Sequence, residues 1–206
     1  HAFGSAVNKG SISYKTPSFE LPFGVTLSAA ADYDPNANAA QPSPASVGDA
    51  ASSGEAVVFK LAHESGLTLG GGEMTVGNSD AVRGETIATG YLLYKNGGLS
   101  LGYQEAYENA AITEKGTTTR GVDTESDGFA IAYSAGDLSF SYSETNETAQ
   151  ANGATAALEE EEFSAIQAAY NLGGMTIAAS LYEADNLDGV AAKKYEETEL
   201  SVSFAF

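Results

Sequence analysis

What most constrains this chain is a two-residue alternation that recurs along its length and runs to its last residue. In 198–206, Leu200, Val202, Phe204 and Phe206 fall on one face of a β-strand. Glu199, Ser201, Ser203 and Ala205 fall on the other. The same period is read in 11–19, 25–33, 56–63, 67–76, 86–95, 99–107, 128–134, 138–144, 162–172 and 175–183, which brings the count to about eleven strands. No stretch approaches 18 consecutive apolar residues, so no helix crosses a membrane. A β-span needs only about 9–11 alternating residues and escapes that test.

The links between these strands are sorted. Short ones at Glu64-Ser65-Gly66, Asn96-Gly97-Gly98, Ala135-Gly136-Asp137 and Gly173-Gly174 carry the residues that hairpin turns need. Between them lie long polar stretches, 34–55, 77–85, 105–127, 145–161 and 184–197. Short and long links therefore occupy opposite ends of the predicted sheet, as in barrels that cross a membrane. The charge is sorted as well. Acidic residues outnumber basic ones by 28 to 9, and the long-link regions with their flanking residues hold −17 of the formal −19. This sign argues against a nucleic-acid partner.

One face of most strands is bulky and apolar: Val25 and Leu27, Val57, Phe59 and Leu61, Leu99, Leu101 and Tyr103, Phe129, Ile131 and Tyr133. Leu138, Phe140 and Tyr142, then Met175, Ile177 and Leu181, continue it. The opposite face is small or polar, as in Ser100, Gly102 and Gln104 or Ser139, Ser141 and Ser143. Aromatics gather at strand ends: Phe19, Tyr133, Tyr170 and Phe206 near the short links, and Tyr33, Tyr103, Tyr142 and Tyr182 towards the long ones. Strand 86–95 reads in either phase, and 67–76 changes phase at Gly70-Gly71-Gly72, where a bulge is expected. The fold expected is an all-β antiparallel transmembrane barrel wall. A soluble acidic β-sandwich, such as an adhesin or surface-layer module, fits the alternation too, with the bulky face inward. Its solvated face would ordinarily carry more charge than this one.

Other chemistry finds little support. Cysteine is absent, which excludes disulfides and thiolate sites. Glu159-Glu160-Glu161-Glu162 lacks the spacing of a calcium loop and reads as a solvated run. His63 with Ser65 lies at a turn and belongs to no recognisable catalytic set, so no enzyme activity, metal or cofactor is expected.

Two stretches resemble known proteins. The closing strand with Phe204 and Phe206 looks like the C-terminal signature of bacterial outer-membrane proteins, which their assembly machinery reads. Gly10-Ser11-Ile12-Ser13-Tyr14-Lys15-Thr16-Pro17-Ser18-Phe19 is similar to the N-S-I-x-Y-x-S-P-x-F stretch of general bacterial porins. Thr16 replaces the usual Ser, and Gly10 stands at the Asn position. In that family the stretch is the sixth of sixteen strands, and strands six to sixteen number eleven. The resemblance implies that 11–206 is the C-terminal part of one barrel domain and 1–10 the tail of a constriction loop. It further implies a homotrimer in the outer membrane, in contact with lipid bilayer and lipopolysaccharide, passing small hydrophilic solutes by passive diffusion. Lys9, Lys15 and Lys60 are then the basic wall candidates, and Asp32 and Glu199 the acidic ones. The acidic rim leads to an expected preference for cations. Another barrel, such as an autotransporter translocation domain, would need a helix leading in, and 1–10 contain no such pattern.

Overall fold

The computed structural model describes residues 11–35, 53–77, 84–109, 122–151 and 158–204. These residues form one antiparallel sheet of twelve strand segments and no second layer. The segments are β1 (Ile12–Lys15), β2 (Phe19–Leu21), β3 (Val25–Asp34), β4 (Gly54–His63), β5 (Leu67–Val76) and β6 (Glu85–Asn96). They continue as β7 (Leu99–Asn109), β8 (Val122–Ala135), β9 (Leu138–Ala151), β10 (Glu161–Asn171), β11 (Met175–Asp185) and β12 (Tyr195–Phe204). Each strand pairs with its predecessor and successor, except that β1 and β2 both pair with β3. The sheet thus has eleven positions, with β1 and β12 at its edges.

A sandwich is ruled out by the absence of a core. Among the described residues the methyl of Ala184 is the one buried apolar side chain. Leu200 is 73% exposed, Phe204 60% and Val57 56%. A soluble sheet leaving such side chains uncovered would forfeit about 1.5–3 kcal/mol for each. The apolar face of the described sheet is therefore left uncovered by the other described residues.

The expected bulge lies elsewhere. Through Gly70, Gly71 and Gly72 the pairing of β5 with β4 and with β6 continues without a slipped residue. The phase change there reverses side-chain polarity and leaves the backbone regular: Glu73 joins the apolar face and Met74 the polar one. The break is at Pro17. Lys15 pairs with Ala30 and Phe19 with Leu27, so four steps on one strand oppose three on its partner. Proline has no N–H to donate to a ladder, and an inserted residue lets the strand step past it. Thr16 repairs the gap, its N–H donating to Ala29 O and its Oγ1 accepting from Ala29 N–H, both at 2.9 Å. What was predicted as one strand over 11–19 is thus a bulged pair.

The sorting of links holds. Residues 22–24, 64–66, 97–98, 136–137 and 172–174 join strands at one end, and all longer links lie at the other. Gly66 adopts φ 93° in its turn, and a Cβ there would come within 1.7 Å of Lys95 O. Several strands outrun their predicted bounds. Residues 108–109, 122–127 and 145–151, expected in links, extend β7, β8 and β9, because polar residues continue the backbone ladder after the apolar alternation ends. The link 186–194 is folded onto the start of β10. Asn186 Nδ2 donates to Glu160 O and its Oδ1 accepts from Ala192 N–H, each at 2.9 Å. Lys193 pairs with Asp188, and Lys194 pairs with Asp185 at 2.6 Å. The Asp185 carboxylate holds the Lys194 ammonium above the usual lysine range.

The Thr16 device makes a prediction. Thr16→Val keeps the shape but strands the Ala29 N–H, and should cost about 1–2 kcal/mol, whereas Thr16→Ser should cost less than about half of that. Urea unfolding of the protein refolded into phospholipid vesicles measures both.

Candidate functional site

Register assigns every described strand residue to a face, and the polar face is where chemistry concentrates. Lys15 stands opposite Ala30 on one side of β3, and Lys60 opposite Ser28 on the other. Gly70 follows Lys60 across the ladder, then Tyr91, then Gln104. The Tyr91 ring lies across Gly70, its hydroxyl within 2.5 Å of where a Cβ would stand. Only glycine leaves the ring that position. Gln104 Nε2 donates to Thr89 Oγ1, which donates to Glu105 O, both at 2.9 Å. Lys15, Ser28, Lys60, Thr89, Tyr91 and Gln104 together line a concavity of about 420 Å³. With ammonium, amide and hydroxyl groups on one open wall, the patch can hydrogen-bond and attract a small polar solute.

Asp32 lies on the same face, one alternation above Ala30 and opposite Ser13 and Ala56. Glu199 shares the face but stands opposite Ser180 on β12, at the other side of the sheet from the two lysines. Lys9 lies outside the described residues. The structure thus brings Lys15, Lys60 and Asp32 together and sets Glu199 apart.

A second polar row crosses β9 to β12. Ser141 Oγ donates to Gln167 Oε1 at 3.4 Å, and Gln167 Nε2 donates to Tyr182 OH at 3.0 Å. Tyr182 stands opposite Glu197, which accepts from Tyr195 OH at 2.6 Å. Tyr182 therefore belongs to the polar face and not to the aromatic edge where it was expected. Sequence reasoning missed Tyr91, Gln167 and Glu197 as wall residues. For Tyr91 the signal was the ambiguous phase of 86–95, which the register resolves by placing Leu92 and Tyr94 on the apolar face and Tyr91 and Leu93 on the other.

The apolar face has a defined upper limit. Above the short links come bulky side chains, then tyrosines, then carboxylates. Tyr103 OH donates to Glu105 Oε1 at 2.7 Å and Tyr142 OH to Glu144 Oε2 at 2.6 Å. Glu73, Asp127, Glu183 and Glu196 occupy the same face near this limit. The belt opens into a concavity of about 760 Å³ bordered by Gly90, Tyr103, Glu105, Glu125, Asp127 and Glu160. Among the described residues no three acidic or imidazole groups converge on a metal position. Alternation explains this for 159–162, since Glu161 and Glu162 project to opposite faces. His63 Nδ1 and Ser65 Oγ are 2.7 Å apart, an exposed contact between residues two apart in a tight link. Phe204 sits on the apolar face opposite Met175, and Phe206 lies outside the described residues.

No family model and no curated protein matches the chain. A solved structure of porin is similar to it, with a TM-score of 0.61 over 94% of this chain at 14% identity. The chain spans 60% of that chain's length. The likeness establishes the fold as part of a porin-type antiparallel β-barrel wall.

In such a wall the two faces meet different media and should respond oppositely to charge. Ile131→Lys should cost about 2–4 kcal/mol in vesicle-refolded protein, and Ala132→Lys on the neighbouring polar position less than about 1 kcal/mol. Equal costs would mean the faces are misassigned.

Proposed function

We propose that this chain is part of an outer-membrane porin, forming the wall of a water-filled channel through which small hydrophilic solutes diffuse. One observation carries the proposal: the sheet has no core, and its exposed apolar face stops at a tyrosine–carboxylate belt. That profile suits a lipid-facing band with an aromatic girdle at the headgroups. The polar face then meets water, where serine, glycine and alanine leave room for solute and cannot pack a core. Likeness to a solved porin supports the same reading. Passage would follow size exclusion and the field of wall charges. Lys15, Lys60 and Asp32 near one another, with Glu199 on the far side, supply that field, and Lys9 is proposed to join them. An excess of carboxylates at the long-link mouth favours cations.

Homotrimer formation, contact with lipopolysaccharide through the outer rim, and recognition of the strand bearing Phe204 and Phe206 by assembly machinery complete the proposal.

The test is the intact protein in planar bilayers under a tenfold KCl gradient. Stepwise conductance with a reversal potential of cation sign is expected, and an anion-signed potential would reject the cation preference. Absence of conductance steps would reject the channel. Trimer formation is checked on an SDS gel, where the unboiled sample should run at high mass and collapse to monomer on boiling.

A further inference from the structure

The polar face carries an axial charge division that the channel reading does not by itself require. In the half nearer the short links the described strands hold Lys60 and Lys95, with Glu20 the one carboxylate. In the half nearer the long links they hold Asp32, Asp34, Glu85, Glu108, Glu147, Glu161 and Glu197, with no lysine or arginine. Lys15, opposite Ala30, and Glu199, opposite Ser180, sit at the divide. Glu64 and Asp137 belong to the short links themselves, below the wall.

The outer parts of the two zones are electrically separate, while Lys15 and Asp32 meet at the divide. A strand of ten residues is about 33 Å long, against a Debye length of about 10 Å at 0.1 M salt and 3 Å at 1 M. At 0.1 M the acidic half therefore admits chiefly cations, and the basic half enriches anions. A positive potential on the long-link side drives both ion types into the middle of the pore, where they accumulate and raise conductance. The opposite potential draws both away and depletes it.

We infer that the channel rectifies, passing more current when the long-link mouth is positive. This rests on the channel reading. It adds a direction to passive flow: current would depend on the sign of the membrane potential.

The experiment is a current–voltage curve from single insertions of the intact protein. Because the chain has no cysteine, Ala191→Cys in an exposed part of the long link 186–194 lets a membrane-impermeant thiol reagent report which mouth faces which chamber. At 0.1 M KCl the current should be about twofold larger with the long-link side positive, and at 1 M the curve should be nearly linear. The double variant Lys15→Gln, Lys60→Gln should bring the 0.1 M ratio close to one. Its folding is checked by heat-modifiable gel mobility, and Glu147→Gln with Glu161→Gln provides a second variant that should weaken the asymmetry from the other half. Linear curves at 0.1 M from conducting channels would overturn the rectification and leave the porin reading intact. Asymmetry unchanged in both variants would overturn its assignment to these charges. Loss of all conductance in the unsubstituted protein would overturn both readings together.

Discussion

Everything in this structure depends on the backbone ladder that links the strands from β1 to β12. With no buried apolar core among the described residues, the sheet is not held by layer-on-layer packing. From β3 to β11 its backbone groups face neighbouring strands on both sides, which is the condition for placing polypeptide in hydrocarbon. Details that would be decorative in a globular protein become necessary here. At Pro17 the ladder loses a donor, and Thr16 supplies both a donor and an acceptor beside the bulge. At Gly66 the chain reverses so close to Lys95 O that a side chain would block the turn.

Once the ladder is satisfied, side chains are free to specify the medium on each face. The apolar face is continuous through the middle of the sheet, and its upper edge is chemically marked. Tyr103 and Tyr142 turn their hydroxyls towards Glu105 and Glu144, so each aromatic body lies on the apolar side and its polar tip on the wet side. The strands then continue upward as polar extensions, which carry carboxylates on both faces. That geometry explains how a chain of net charge −19 can present an extended apolar band: the charge is displaced along the strand axis.

The polar face is built differently. Small residues keep it open, and a few larger polar groups are fixed by mutual bonds, as in Gln104 with Thr89 and Gln167 with Tyr182. It is not uniformly polar. Val58 of β4 and Ile87 of β6 lie on it, and Met74 joins them because β5 inverts its polarity above Gly72. Glu73 is the counterpart of this inversion on the apolar face.

The sequence by itself determined the eleven sheet positions, the hairpin positions, the sorting of links and the strand faces on which Lys15, Lys60, Asp32 and Glu199 fall. Each of these follows from a strict period of two and from turn residues, which are local properties. Strand ends were less legible, because apolar alternation stops at the belt while hydrogen bonding continues through residues such as Glu105, Glu125 and Glu147. Only the tertiary structure decided the phase of 86–95, since its apolar residues occur at both parities and pairing with β5 and β7 breaks the tie. It alone placed the bulge at Pro17 rather than at the glycines, because a bulge is a mismatch between two strands and neither shows it separately. It also chose between barrel wall and sandwich. Alternation states that one face is apolar; whether that face is covered by a second sheet depends on how all the strands are arranged in space.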